Sequence, residues 1–108
     1  MIRRAEKLKI DKRFFKIDAR TFRIVDIIGQ GKIDIQKESL INATPEDLIK
    51  NPYDLESCLQ AIRAVNETGD PMFQKLSITI NGETTLEQIH FKRGTRKTDI
   101  DTIIAYAD

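Results

Sequence analysis

The sequence has one cysteine and one histidine in 108 residues, and no apolar run longer than a few residues. Each shortage excludes something. Cys58 cannot form an internal disulfide and has no second cysteine with which to build a metal site, as expected in a reducing compartment. With His90 as the sole histidine, no catalytic arrangement needing two histidines can form, and a metal would have to be held by it with carboxylates alone. No segment is apolar for long enough to span a bilayer, and the opening MIRRAEKLKIDKR lacks the apolar core of a signal peptide. The expectation is a cytoplasmic protein with no membrane partner. Internal repeats and low-complexity stretches are also missing, which argues against solenoids and disordered tails.

What is present describes an ordinary globular domain. A chain of 108 residues, 40% apolar and 32% charged, can bury about 65% of the surface its unfolded form exposes. The net charge of +1 hides an asymmetry, because residues 1 to 23 carry nine Lys or Arg against three acids and the remainder nine against fourteen. The cations are spread through the segment rather than stacked in a run. A solvated lead-in and strand face therefore explains them better than a nucleic-acid arm.

The division expected is a basic lead-in over residues 1–12, followed by a single domain over 13–108. Ile2, Ala5 and Leu8 fall at helical spacing, so Ile2 to Lys9 reads as a short amphipathic helix. Arg13 to Asp18 reads as a strand with Phe15 and Ile17 on one face. Phe22 to Ile28 reads as a second, with Phe22, Ile24 and Ile28 alternating against Arg23, Val25 and Ile27. Ala19 to Phe22 can only be a tight turn. Gly29, Gln30 and Gly31 end the second strand, and Lys32 to Ile35 is a short strand or irregular loop.

Thr44, Pro45 and Asp47 form a helix start, and Asn51 with Pro52 stops that helix and begins the next. Leu55, Cys58, Leu59, Ile62 and Val65 make one apolar stripe, ended by Gly69, Asp70 and Pro71. Leu76, Ile78 and Ile80 then alternate with polar residues up to Asn81-Gly82, the pair best suited to a two-residue hairpin. On the return strand Leu86, Ile89 and Phe91 do not share one parity, which implies either a longer loop or a sheet covered on both faces. The last strand has Ile100, Ile104 and Tyr106 on one side and Ile103, Ala105 and Ala107 on the other, as a central strand should.

The segments FFKIDARTFRIVDI, ATPEDLIKNPYDLESCLQAIRAVNETGDPMFQ, LSITINGETTLEQIHFKR and TDIDTIIAYAD together resemble the PAS sensory-domain family. The resemblance runs over nearly everything from Phe14 onward, and departs from it over Gly29 to Asn42, where glycines replace the usual asparagine. It implies an α+β fold of PAS-like, profilin-like topology. Short helices pack on one face of a five-stranded antiparallel sheet, in the order strand, strand, helix, helix, strand, strand, strand, and the last strand is central. It also implies a sensor or dimerisation module without enzyme activity, regulating an effector domain in a longer protein or a partner. A ligand pocket would be lined by Cys58, Ile62, Ile78 and Ile104. The ligand itself is left open. The long helix carries no histidine, against haem, and the residues around Cys58 do not match the reactive segment of the flavin photosensors, against a covalent flavin.

Other candidates reduce to structural roles. His90 lies between Ile89 and Phe91 and reads as a sheet-face residue. Cys58 sits on the apolar stripe as a small hydrophobe. Gly29-Gln-Gly31 lacks the lysine, serine and helix of a phosphate loop. Glu46 with Asp47, and Asp99 with Asp101, fit helix-start and strand-surface positions better than acid–base work. The rival reading is a nucleic-acid-binding domain using the basic lead-in and the turn from Lys92 to Lys97, with Phe14, Phe15, Phe22 or Phe91 for stacking.

Overall fold

The computed structural model describes residues 14–29 and 37–107. The lead-in helix expected over Ile2 to Lys9 and the short strand over Lys32 to Ile35 lie outside those residues. The opening hairpin is β1 (Phe14–Asp18) and β2 (Ile24–Ile28), closed where Phe22 N–H donates to the Asp18 carbonyl at 2.7 Å. Phe22 itself takes φ 63°, a left-handed conformation rare for a bulky residue, so β2 begins at Ile24 and not at Phe22. Its ring packs on the core, and the Arg63 guanidinium lies 5.3 Å over it.

The expected alternation in β2 fails for a second reason. Lys16 pairs with Asp26 but Ile17 with Ile24, so the strand bulges by one residue at Val25. The bulge reverses parity. Ile24 and Ile27, three apart, both enter the core, while Val25 and Ile28 are exposed.

An unforeseen helical turn, α1 (Lys37–Leu40), lies within Gly29 to Asn42, where the resemblance lapses, and buries Leu40. It is followed by α2 (Pro45–Leu48), whose start is fixed by the Asp47 carboxylate accepting from Thr44 N–H at 2.9 Å and from the Thr44 hydroxyl at 3.2 Å. The long helix α3 (Pro52–Thr68) begins with Asn51 Oδ1 accepting from the N–H groups of Tyr53 and Asp54, and ends at Gly69 with φ 82°. Cys58, Ala61, Ile62 and Val65 are its buried face.

Strands β3 (Met72–Ile80) and β4 (Glu83–Arg93) are joined by the expected two-residue turn, with Asn81 and Gly82 at φ 54° and 81°. The turn is short, so the parity conflict resolves the other way: Ile89 and Phe91 pack on the helix side, and Leu86 is exposed on the opposite face. The last strand, β5 (Thr102–Ala107), pairs antiparallel with both β1 and β4. The sheet order is β2-β1-β5-β4-β3, which puts β5 at the centre as expected. Ile100 falls outside the strand and is exposed.

The α3 helix packs across β3, β4 and β5, and its buried residues meet Ile103, Ala105, Phe91 and Leu76. Both sheet edges are covered in part. On β3, Ser77 N–H donates to the Asp54 carboxylate at 3.0 Å; on β2, Ile24 N–H donates to the Ala43 carbonyl at 2.8 Å. Among the described residues no helix is long and apolar enough to cross a membrane.

Candidate functional site

The pocket residues expected from the sequence separate into two groups. Cys58 and Ile62 lie on the inner face of α3, and Ile78, on β3, packs against the same core cluster. Ile104 does not join them. It pairs with Lys92 and Lys16, whereas Ile103 and Ala105 pair with the helix-side rows, so strand alternation turns Ile104 to the outer face of the sheet. Ile103 and Ala105 are the residues of β5 that share the core cluster with Ile62, and Ile103 is fully buried. The parity of the strand was legible, but which parity met the helices was not.

Burial settles the chemistry of Cys58. Cys58 is 5% exposed, and desolvation pushes its thiol up to about 12, so at neutral pH it is a protonated, buried thiol and not a thiolate nucleophile. No group of three His, Cys, Asp or Glu side chains among the described residues is arranged to hold a metal ion.

The helix layer opens to solvent beside the hairpin tip. There a cleft of about 390 Å³ is bounded by α1 and the chain after it (Leu40, Asn42, Ala43), by Leu48 of α2, and by Ile80 and Asn81 at the end of β3. Leu40, Ala43, Leu48 and Ile80 belong to or pack on the same core cluster as Cys58, Ile62 and Ile78, so the floor of the cleft backs onto the apolar core. Its far wall is pinned to β2. Asn42 takes φ 73°, its N–H donates to the Ile24 carbonyl at 2.7 Å, and Arg23 donates to the Asn42 carbonyl at 2.9 Å. Ser39, Asn42 and Asn81 bring hydroxyl and amide groups to the rim and Asp47 a carboxylate, so the lining is mixed polar and aliphatic. A volume in this range, with a mixed polar and aliphatic lining, can admit a small organic ligand. Sequence reasoning missed this wall because it read Lys32 to Ile35 as a short strand or irregular loop and assigned no element between there and Thr44; the available signal was Asn42-Ala43-Thr44-Pro45, a turn residue directly before a helix start.

A second, polar cleft of about 260 Å³ lies at the other end of α3. Its side chains mostly engage one another. Arg93 reaches back to the last turn of α3 and donates to the carbonyls of Asn66 at 2.5 Å and Glu67 at 3.3 Å, the preferred place for a cation on a helix. Asn66 in turn donates to Asp101 at 3.2 Å. Asp99, 7% exposed, accepts from Lys16 at 3.1 Å and from Arg96 N–H, and these bonds hold its carboxyl below the usual range. This end of the domain is a clamp between helix and sheet. It also commits part of the basic turn considered for nucleic acid: Arg93 caps the helix and Lys92 lies 5.6 Å over the Tyr106 ring.

No protein-family model and no curated protein matches the sequence. Among solved structures, the PAS-B domain of Drosophila melanogaster Cycle with bound ethylene glycol is similar at a TM-score of 0.72 and 10% identity, over 89% of this chain and 97% of that one. VqmA bound to DPO is similar at a TM-score of 0.63 and 15% identity, over all of this chain and 57% of that one. A Vibrio cholerae VqmA dimer gives 0.63 at 14% identity, this chain spanning 50% of its length. At these identities the likeness speaks for architecture alone. The strand order β2-β1-β5-β4-β3 with all described helices between β2 and β3, and these neighbours, give this chain a PAS-like fold.

Proposed function

We propose that this domain is a signalling module without enzyme activity, which takes up a small molecule on the helix side of the sheet and transmits its presence to an effector. The observation that carries this reading is the cleft beside Leu40, Leu48 and Ile80, whose floor backs onto the same apolar core as Cys58, Ile62 and Ile78. The solved neighbours agree with it: one holds DPO, another is described as a dimer with a DNA-binding mechanism. The effector is either a further domain of a longer protein or a separate partner, and a homodimer is the natural form in which to present two such modules to it. The cytoplasm is the setting that fits the reduced Cys58. Neither haem nor covalent flavin fits the inner face of α3, where Cys58 is buried among aliphatic residues and no histidine stands.

Nucleic-acid binding by the sheet is not favoured. At its centre the rings of His90 and Tyr106 stack on each other at 5.0 Å and 12°, so their faces are turned inward to one another and not offered to a base. The test is native mass spectrometry of the purified protein. A small molecule released on unfolding supports the reading. A protein that carries none, and binds none from a library of small apolar and polar fragments, overturns it.

A further inference from the structure

The chain has four asparagines, and the fold leaves them unequally open to attack by the next main-chain nitrogen. Asn51 precedes Pro52, whose nitrogen bears no hydrogen, and its side-chain oxygen is committed to Tyr53 and Asp54 N–H. Asn66 lies inside α3, with its amide donating to Asp101 at 3.2 Å and the following nitrogen held in the helix. After Asn42, the Ala43 N–H donates to the Leu40 carbonyl at 3.0 Å. Asn81 differs on every count. It is exposed at the hairpin tip, Gly82 follows it, and a Cβ built on Gly82 would meet nothing within 4 Å. The ladder ends where Ile80 pairs with Glu83, so the Gly82 nitrogen lies outside it. A hairpin end is also where local opening costs least, and the glycine lets the main chain turn freely once it opens.

The geometry points to Asn81-Gly82 as a site of self-modification by deamidation, which turns one lip of the cleft from an amide into a carboxylate. Solvent base removes the proton from the Gly82 nitrogen, which attacks Cγ of Asn81. A carbon–nitrogen bond forms, the carbon–nitrogen bond of the side-chain amide breaks, and ammonia leaves with a proton taken back from solvent. Water then opens the cyclic imide. Opening at the side-chain carbonyl gives aspartate, and opening at the main-chain carbonyl gives isoaspartate, whose chain is longer by a methylene. Water is consumed, ammonia is released, and nothing is oxidised or reduced. Either product adds a carboxylate to a cleft whose lining already holds that of Asp47. Only isoaspartate lengthens the turn, and so loosens the pairing of Ile80 with Glu83 and the 2.7 Å hydroxyl bond between Thr79 and Thr84. The chemistry concerns the chain alone and does not rest on ligand uptake. Where the cleft receives a ligand, the age of the molecule sets the charge that the ligand meets.

The experiment ages the folded full chain at neutral and at mildly alkaline pH, following released ammonia and, by peptide mapping, the fate of each asparagine. Asn81 should be lost at least about tenfold faster than Asn42, Asn51 or Asn66, and faster at the higher pH because the attacking nitrogen must lose its proton. Ammonia should match that loss, with isoaspartate and aspartate both found at the position. The isoaspartate form, separated by charge, is then compared with Asn81→Asp, whose Asp-Gly pair keeps a two-residue turn. Hydrogen exchange at the amides of Ile78, Ile80, Glu83 and Thr85 should be about tenfold faster in the isoaspartate form, while Phe91 and Ile103 stay protected in both. The site is overturned if Asn81 stays intact, or if all the asparagines are lost at similar rates, as from an unfolded chain. Equal exchange of the hairpin amides in the two forms overturns the lengthened turn.

Discussion

Ile103 and Ile104 are neighbours in the central strand, are nearly equally buried, and face opposite layers, so truncating each in turn tests the sheet register. Ile103 is fully buried and packs in the helix-side core. Ile103→Ala removes three carbons, a transfer loss of about 2.4 kcal/mol, and leaves a cavity at a site held by α3 and by strands on both sides. That brings the expected cost to about 4 kcal/mol. Ile104 is 9% exposed on the outer face, between Lys16 and Lys92. There flexible lysine stems and water can fill the space, so Ile104→Ala should cost about 2 kcal/mol, close to the transfer loss alone. With a slope near 1.5 kcal/mol per molar urea, the midpoints should fall by about 2.7 M and about 1.3 M. Equilibrium urea unfolding monitored by far-ultraviolet circular dichroism gives both numbers. If Ile104→Ala costs as much as Ile103→Ala or more, the assignment of the helix-side face is wrong.

Three further outcomes follow from the local chemistry. Asn51→Ala removes the oxygen that accepts from Tyr53 and Asp54 N–H, and should cost about 1 kcal/mol, seen as a fall of about 4–8 °C in Tm; an unchanged Tm would mean that the cap is replaced by water at no cost. Gly69→Ala places a side chain at φ 82° with its Cβ 3.1 Å from the Arg93 guanidinium, so it should cost more than about 1 kcal/mol, and the double variant with Arg93→Ala should lose less than the sum of the two single losses. Asp18, Asp47 and Asp99 are held below the usual carboxylate range, chiefly by hydrogen bonds from Arg20 N–H, Thr44 N–H and the Lys16 ammonium respectively. Their contribution is present in full above the unfolded-state value near 4 and is lost as pH falls through the lower folded values. The urea midpoint should therefore be flat from pH 7 to 5 and drop below pH 4. In Asp99→Asn it should start lower and drop less, and a curve merely parallel to the unmodified one would remove Asp99 from the set.

The parts of this structure legible in the sequence are those fixed by short-range chemistry. Asn81-Gly82 announced a two-residue hairpin because few other pairs tolerate two positive φ angles, and Asn51-Pro52 marked a helix start because the cap and the proline act within one turn. The apolar residues on both sides of IIAYA placed β5 in the middle of the sheet. What failed depended on a partner strand or on tertiary packing. The bulge opposite Lys16 moved Ile27 inward and Ile28 outward, and no single-strand alternation can reveal an extra residue defined by its neighbour. Ile104 was assigned to the pocket because both parities of β5 are apolar, and only the position of α3 distinguishes them. The cleft wall at Leu40 to Ala43 was missed for a related reason: a four-residue helix has too little periodicity to read, and Asn42 and Ala43 after it are held by bonds to Ile24, nearly twenty residues away.

The central claim is that ligand is received on the helix side of the sheet, next to Ile62, Ile78 and Ile103, and not on the outer face. Isoleucine-methyl spectra of the labelled protein, recorded while small apolar compounds are added, test it directly. The account expects a saturable shift of Ile62, Ile78, Ile80 and Ile103, with Ile28 and Ile104 moving least. Shifts concentrated at Ile28 and Ile104, with the helix-side methyls unmoved, would contradict it.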